Sequence, residues 1–211
     1  MNSRIQSLGF WTAITGATLG VFYMAALAAI FISNTGFPPV EPYQTIISVV
    51  SLFTAPIMVL LWCTLHDAAS QEYKVFSLAS LALIIIFATL TSINRYVSLT
   101  VVRQSYLLGK TGGLEWFLPY GWPSIMAAIE VLAWGFFMGL GCLCLAPVFS
   151  AARQERAIFW TLIDTGVLCL LATLGQVINS PALNLVGILA WGPGLTLLLV
   201  LFALRFRKRT A

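Results

Sequence analysis

Charged residues are what this sequence has least of. Only 9% of its 211 residues are charged, whereas 60% are hydrophobic. A soluble domain carries about 25% charged residues, so these charges are too few to cover a surface in water. This low fraction of charged residues predicts that the outer surface of the protein faces lipid. The net charge of +4 comes from loop positions, and we expect no nucleic-acid partner.

The sequence has one histidine and four cysteines, which limits the metal sites and catalytic groups that it can form. His66 is the only histidine, so haem ligation by two histidines of one chain and an HExxH zinc site are excluded. The sequence has no GxxxxGK phosphate loop and no recognisable serine–histidine arrangement. The four cysteines lie in apolar runs and are typical of small buried hydrophobic residues: Cys63, Cys142, Cys144 and Cys169. We expect no cofactor and no metal.

Long apolar runs are what the sequence does contain. A membrane-spanning helix needs about 20 apolar residues, and proline and glycine mark the breaks between runs. The predicted helices are 8–32, 44–65, 75–98, 123–149, 157–178 and 182–204, with an outer loop over 99–122 and a possible extension of the third helix to about residue 108. This predicts an all-α fold, a bundle of six transmembrane helices that forms a single domain over residues 1–211. A cleavable signal peptide ending near Ala28 is an alternative that would leave five helices.

The distribution of basic residues predicts the orientation of the bundle. With a cytoplasmic N-terminus, the inner side carries eight lysines and arginines: Arg4, Lys74, Arg153, Arg156, Arg205, Arg207, Lys208 and Arg209. The outer side carries Arg103 and Lys110. Both termini are therefore expected in the cytoplasm, and we expect a bacterial inner membrane. The basic tail from Arg205 onwards is expected to hold the last helix end at the membrane surface.

Two charges interrupt the third and fourth apolar runs. Arg95 lies near the outer end of helix 3, and Glu130 lies seven residues after Pro123 in helix 4. Both are expected in the outer half of the bundle on antiparallel neighbours. A charge that faces lipid costs at least about 2.5–3.5 kcal/mol on insertion scales. We therefore expect both side chains to face inward and to meet.

Polar residues at similar depth extend this pair to a candidate pocket that opens to the outside. Its predicted members are Arg95, Glu130, Trp134, Asn94, Gln176 and Asn179. In this interpretation Arg95 attracts an anionic group, Glu130 balances or gates it, and Trp134 forms an apolar wall. The alternative is structural: Arg95 reaches the headgroups or fixes helix register with Glu130, and no ligand binds.

A second polar cluster is predicted at the inner side. His66, Asp67 and Asp164 combine an imidazole with carboxylates, a set that can bind a divalent metal or relay protons. However, adjacent residues project about 100° apart on a helix, so His66 and Asp67 do not chelate by themselves. We expect a solvated helix end here, with Asp164 capped by Thr161 or carrying a proton.

Gly192, Pro193 and Gly194 break the last helix within its apolar run. Such a break frees backbone carbonyls that protein, water or a ligand must satisfy. It predicts either a gating hinge or a packing kink. Glycines at four-residue spacing, Gly16 with Gly20 and Gly135 with Gly139, allow close helix approach.

Three functions remain open from the sequence. The leading hypothesis is a non-enzymatic membrane protein that binds or translocates a small solute or lipid through the outer pocket. The second is a structural or accessory subunit whose intramembrane charges pair with a partner subunit or a second copy. The third is a membrane-embedded lipid-modifying enzyme that uses Glu130 or Asp164 as a base.

Overall fold

Long helices connected by short segments make up the chain. The computed structural model describes residues 3–33, 41–118, 124–150 and 153–208, and within these ranges it contains helices and no strands. Six helices are long and apolar enough to cross a membrane: α1 (Ser3–Ile32), α2 (Tyr43–Ala68), α3 (Gln71–Leu107), α4 (Ile125–Phe149), α5 (Arg156–Val177) and α6 (Pro181–Arg207). The prediction of an all-α chain with six apolar helices of spanning length is confirmed.

Helix α3 follows the longer of its two predicted bounds. It continues beyond residue 98 through a wide π turn, Ser98–Val102, and a further helical segment, Arg103–Leu107. The Ser98 hydroxyl lies 3.1 Å from the Ser48 hydroxyl of α2 and accepts from Gln44 at 3.4 Å. These contacts between α2 and α3 hold the extension, whereas hydropathy alone ends the helix near residue 98. The predicted starting residue of α4, Pro123, lies outside the described residues.

The six helices alternate in direction, so the bundle has two ends. At the end that carries both termini, Gln6 donates to the Phe206 carbonyl at 2.8 Å. At the same end, Arg205 donates to Glu155 of the α4–α5 connection at 2.6 Å. We call this the termini end. The opposite end, where α1 meets α2, α3 meets α4 and α5 meets α6, is the far end.

A buried polar relay joins three helices inside the apolar core. The Trp62 indole of α2 donates to the Ser80 hydroxyl of α3 at 2.7 Å. Ser80 in turn donates to the Gly141 carbonyl of α4 at 2.6 Å. An indole N–H needs such a partner when it is buried. The relay fixes the relative heights of α2, α3 and α4, and with them the height of the charges farther along α3 and α4.

Glycines set the closest approach of α4 and α5. A Cβ built on Gly166 would lie 2.9 Å from the Gly139 carbonyl oxygen and 2.7 Å from Leu143 Cγ. A Cβ on Gly139 would lie 2.9 Å from Cys169 Cβ. Only a residue without a side chain fits at this distance, as in other close helix crossings. The glycine spacing noted in the sequence therefore serves contacts within the chain at this crossing.

Candidate functional site

Arg95 and Glu130 form a buried ion pair between α3 and α4. Arg95 Nη2 donates to Glu130 Oε1, and the side chains are 1% and 12% exposed. The neighbouring Asn94 donates from Nδ2 to the Met126 carbonyl of α4 at 2.6 Å. Charged hydrogen bonds of this kind are stronger than neutral ones. Two consecutive side chains of α3 thus fix the depth of the first turns of α4.

Glu130 lies in the wall of a large cavity at the far-end half of the bundle. The cavity has a volume of about 710 Å³, which falls in the range of small-molecule sites. Five helices contribute to its wall, and α3 does not. The lining residues are Gly16, Leu19, Gly20, Tyr23, Val50, Ser51, Thr54, Ala127, Glu130, Val131, Trp134, Gln176, Val177, Asn179, Asn184, Trp191, Leu195 and Leu199.

The cavity is polar near the far end and apolar in its depth. Gln176, Asn179 and Asn184 line it where α5 passes into α6. Gly16 and Leu199 line it deep in the bundle. At the standard helical rise, these two residues lie roughly 24–27 Å along their helices from the far end. The cavity is therefore elongated along the helices, with amide groups at one end and aliphatic groups at the other.

Two π turns face each other across the cavity wall. Trp134 lies in the π turn Leu132–Phe137 of α4, and Trp191 lies in the π turn Ala190–Gly194 of α6. The Trp191 indole donates to the Trp134 carbonyl at 2.9 Å. Such wide turns inside helices frequently occur at functional sites. Here they bring two indole rings into one wall and join α4 to α6 at that point.

The wide turn in α6 contains the predicted hinge. Pro193 lacks an N–H and cannot continue the normal hydrogen-bond pattern of the helix. Gly192 is buried against α1, because a Cβ there would lie 2.2 Å from Met24 Sδ. The segment is thus packed between α1 and α4 in the structure. Whether Gly192, Pro193 and Gly194 act as a hinge stays a prediction.

Three side chains of the cavity wall carry a buried polar atom that has no hydrogen-bond partner among the described residues. These atoms are Glu130 Oε2, Trp134 Nε1 and Ser51 Oγ. Buried polar groups are nearly always hydrogen-bonded, and each exception calls for an explanation such as a water. Each of these atoms exposes less than 1 Å² of surface, so they lie within the wall and do not face the open space of the cavity.

The predicted pocket residues divide into two groups. Glu130, Trp134, Gln176 and Asn179 line the cavity, whereas Arg95 and Asn94 are not among its lining residues. Arg95 contacts Glu130 but does not face the space that a ligand would fill. The direct attraction of an anion by Arg95 therefore has no geometric support. Phe87 packs edge-on against Trp134 with ring centroids 4.8 Å apart, which fixes the indole in the wall.

Asn184 of α6 was also expected at this depth and lines the cavity, whereas the contribution of α1 and α2 was not predicted. Ser51, Thr54 and Tyr23 line the cavity from α2 and α1. Serine and threonine are common in membrane helices, where they bond to their own helix carbonyls. Thr54 does this, because its hydroxyl donates to the Val50 carbonyl at 2.8 Å. No local signal in the sequence separates these residues from others of the same type.

The predicted inner cluster is not one site in the structure. His66 Nδ1 lies 2.8 Å from the Ser77 hydroxyl, and Lys74 donates to the His66 and Asp67 carbonyls at 2.6 and 3.1 Å. These contacts join the end of α2 to the start of α3. Among the described residues, no group of three histidines, cysteines or carboxylates is close enough to hold a metal. The set His66, Asp67 and Asp164 therefore forms no metal-ligating group.

Asp164 lies instead on the exposed face of α5. The prediction that Thr161 caps it is wrong, because the Thr161 hydroxyl donates to the Ala157 carbonyl at 2.8 Å. Asp164 has no hydrogen bond or ion pair within the described part of the chain. Trp160 and Val167 flank it on the same exposed face.

Arg205, the first residue of the basic tail, is buried against Glu155. That the tail holds the last helix end at the membrane surface stays a prediction. The guanidinium of Arg205 also lies over the Phe149 ring, 5.0 Å from the centroid. An arginine can combine a carboxylate contact with stacking on an aromatic face. The pair closes the termini end of the bundle.

Comparison with known proteins finds no match among family models, curated proteins or solved structures.

Proposed function

We propose that this chain is a multi-pass membrane protein that binds or passes a small solute or lipid through the cavity at the far end. The observation that carries the proposal is the cavity of about 710 Å³, with the carboxylate of a buried ion pair in its wall. A charged group inside an apolar bundle is costly to place and is frequently functional. The Glu130 carboxylate and the amide side chains of Gln176, Asn179 and Asn184 line the same cavity and give a bound molecule polar groups to contact.

The proposal includes insertion into a membrane with both termini in the cytoplasm. The six apolar helices support insertion, and the bias of eight basic residues against two supports the orientation. In this arrangement the cavity end lies on the outer side, and the amide groups of Gln176, Asn179 and Asn184 lie near its entrance. The bacterial inner membrane stays a prediction.

The test compares ligand retention in two tryptophan variants of adjacent residues. Val131 lines the cavity, whereas Leu132 is 40% exposed on the outer face of the same helix. We expect native mass spectrometry of protein extracted in a mild detergent to detect a bound lipid or solute on the wild type. Val131→Trp should lose this molecule because the indole projects into the cavity and occupies part of it, and Leu132→Trp should keep it.

Circular dichroism melts of the three proteins provide the folding control. A Val131→Trp variant that melts like the wild type and still carries the same molecule would contradict the proposal. So would a wild type that carries nothing after extraction and binds no added amphiphile. Equal loss from both variants would place the bound molecule on the outer surface of α4 and not in the cavity.

The exposed Asp164 favours a second function, that of a subunit in a membrane complex. A carboxylate on the outer face of a spanning helix has no solvent in the hydrocarbon region, and the described residues provide it with no partner. A basic side chain of another membrane subunit at the same depth would satisfy it. This would place Trp160, Asp164 and Val167 in an interface.

The second function is tested by the mass of the extracted particle. We expect blue native electrophoresis to show a species larger than the 23.0 kDa chain in its detergent micelle. Asp164→Asn should dissociate it, because the amide cannot form an ion pair. Asp67→Asn, which changes an exposed carboxylate at a helix end, is the matched control. A wild type and an Asp164→Asn variant that both migrate as monomers would exclude the interface.

A further inference from the structure

We infer that the cavity opens sideways between α1 and the first half of α6, and that the acyl chain of a membrane lipid enters it through this opening. The opening, called the lateral gap, is bordered by Ala28 and Phe31 of α1 and by Leu185 and Ile188 of α6. The inference rests on the proposed function, and it names the ligand class and its route from the outer leaflet of the bilayer. Three observations carry it: the packing of α1 on α6, the division of the apolar core, and the chemistry of the gap and the cavity wall.

Helices α1 and α6 pack closely from the termini end to the middle of the bundle. Their close approaches form one series: Gly9 with Phe206, Gly16 with Leu199, Gly20 with Thr196 and Met24 with Gly192. Among the described residues, this packing ends at the level of Met24 and Gly192. Gly192 lies in the π turn of α6 together with Pro193, and prolines and π turns are common causes of helix bending. The turn is therefore the point at which α6 leaves α1.

Beyond this level, the α6-facing side of α1 is no longer covered by the described residues. Ala28 follows Met24 by one helical turn on that side and is exposed. Phe31 follows Ala13 by five turns of about 3.6 residues and lies on the same side of the helix. Ala13 is 0% exposed, whereas Phe31 is 54% exposed. Because α1 is a continuous α-helix between them, the difference marks the loss of α6 as a neighbour.

The first half of α6, Pro181–Leu189, packs chiefly on α5. A Cβ built on Gly175 of α5 would lie 2.6 Å from Leu183 Cβ, and one on Gly187 of α6 would lie 2.8 Å from Ala172 Cβ. Gly187 is the only buried residue of this segment. Helix α6 thus stays in contact with α5 where it separates from α1.

The buried apolar core divides at the same level. Ala26, Ile30 and Ile47 of α1 and α2 form a cluster that is separate from the main core. The far-end halves of α1 and α2 therefore pack on each other as a pair. Tyr23 lines the cavity at the level where α1 and α6 separate, and Asn184 lines it roughly 12 Å farther along α6 at the standard rise. The cavity thus extends to the height of the lateral gap.

The chemistry of the gap and of the cavity wall fits an acyl chain. All four residues that border the gap are apolar. Glu130 is the only charged residue among the described residues that line the cavity, so an ionic headgroup inside it would lack a counter-charge, which is costly away from water. The headgroup is therefore expected to stay at the far end, where Gln176, Asn179 and Asn184 line the cavity, while the chain occupies the apolar depth.

The test uses a photoreactive lipid in the bilayer. The full chain is reconstituted into phosphatidylcholine vesicles that contain a phosphatidylcholine with a diazirine in the middle of one acyl chain. After irradiation, tandem mass spectrometry locates the adducts on the protein. Two pairs of adjacent residues report the result: Val50 and Val131 line the cavity, whereas Val49 and Leu132 are exposed on the outer face of the same helices.

Both pairs lie at a depth that the labelled chain reaches. They are roughly 9–12 Å from the far ends of α2 and α4 at the standard rise, and one leaflet of hydrocarbon is about 15 Å thick. We expect adducts on Val50 and Val131 (cavity-side adducts) as well as on Val49 and Leu132 (bilayer-side adducts). Adducts on Val49 and Leu132 alone would show that the cavity is closed to the bilayer and would overturn the inference.

The position of the gap is tested by narrowing it from both sides with Ala28→Trp and Ile188→Trp in one chain. Each residue lies about 6 Å along its helix beyond the last close approach of α1 and α6. Ile188 shares a side of α6 with Asn184 and Trp191, which line the cavity. We expect this double variant to lose the cavity-side adducts and to keep the bilayer-side adducts.

A matched double variant provides the control. Ala25→Trp and Leu189→Trp place the same indoles on exposed residues of the same two helices, and both classes of adduct should remain. Circular dichroism melts check that each variant folds. If the gap variant does not melt like the wild type, Ala28→Trp alone replaces it, because Ala28 is exposed and its substitution displaces no packed side chain; it should lower the yield of cavity-side adducts.

A water-soluble probe separates this inference from the proposed function. Photo-leucine, a free amino acid with a diazirine, is irradiated with the same vesicles in place of the labelled lipid. Cavity-side adducts from photo-leucine and none from the lipid would overturn the lipid route, while the cavity would remain a binding site. No cavity-side adducts from either probe would also overturn the inference, and the ligand-retention test then decides the proposed function independently.

The remaining outcomes concern the gap itself. Cavity-side lipid adducts that persist at the wild-type yield in the gap variant would place the entry elsewhere and overturn the assigned opening. Cavity-side lipid adducts that the gap variant loses and the control variant keeps support the inference.

Discussion

The ion pair of Arg95 and Glu130 predicts a strong energetic coupling between the two residues. Arg95 is 1% exposed and Glu130 is 12% exposed, so either charge left alone is poorly solvated. Removal of one partner of a buried pair costs about 3–5 kcal/mol. We therefore expect Arg95→Gln and Glu130→Gln each to destabilise the protein by about this amount.

The double variant, with both Arg95→Gln and Glu130→Gln, measures the energetic coupling between the two residues. With both charges removed, no uncompensated charge remains, and two amides can hydrogen-bond in the same place. We expect the double variant to lose less stability than the sum of the two single variants, with a coupling of about 2 kcal/mol or more. At about 2–4 °C per kcal/mol for a chain of this size, each single variant should melt roughly 6–20 °C lower than the wild type.

The assay is reversible unfolding in mixed micelles, followed by far-ultraviolet circular dichroism for the wild type, the single variants and the double variant. The structure offers a matched control pair at the far end. Arg103 Nε lies 3.7 Å from Glu41 Oε1, and the side chains are 42% and 51% exposed. A cycle on this exposed pair should give a coupling of at most about 1 kcal/mol. If the Arg95 and Glu130 losses add to within about 0.5 kcal/mol, the reasoning is refuted.

Three further predictions concern the scaffold that positions this pair, each measured by the same unfolding assay. Ser80→Ala should cost about 1–3 kcal/mol, because it leaves the buried Trp62 indole without an acceptor; an unchanged stability would show that the relay is dispensable. Gly166→Leu should cost about 1–3 kcal/mol or more from overpacking at the α4–α5 crossing; a stable variant would mean that the helices separate without loss. Arg205→Gln should cost about 1.5–3 kcal/mol through the charged hydrogen bond to Glu155, and high salt should not reproduce the loss, since a buried pair is poorly screened.

The helices were predictable because their signal is local. A run of about 20 apolar residues identifies each helix regardless of its neighbours. The ends were less predictable, because α3 continues to Leu107 through contacts of Ser98 with α2 that no window of sequence contains. The inward direction of Arg95 was also predictable, since a charge in an apolar run is costly when it faces lipid.

The cavity was only partly predictable for the same physical reason. Glu130 was visible as a charge and Gln176 as an amide in an apolar run, and both line the cavity. Ser51 and Thr54 could not be predicted as lining residues, because the sequence does not show whether a serine or threonine in such a helix faces a cavity, a neighbouring helix or lipid. The contacts of Arg205 were not predictable either, because its place in a basic tail does not indicate that Glu155 and Phe149 bury it.

The two sequence interpretations of the ion pair, a structural contact and a binding element, are compatible in this geometry. Arg95 projects from α3, which takes no part in the cavity wall. It donates to Glu130 Oε1 from the side that faces away from the cavity. This contact anchors α4 and neutralises the carboxylate, so Glu130 can occupy the wall of an apolar cavity without an isolated charge. Its side chain is 12% exposed and lines the cavity. The structural role of Arg95 is thus the condition for the proposed binding role of Glu130, and the coupling cycle and the ligand-retention test measure the two roles separately.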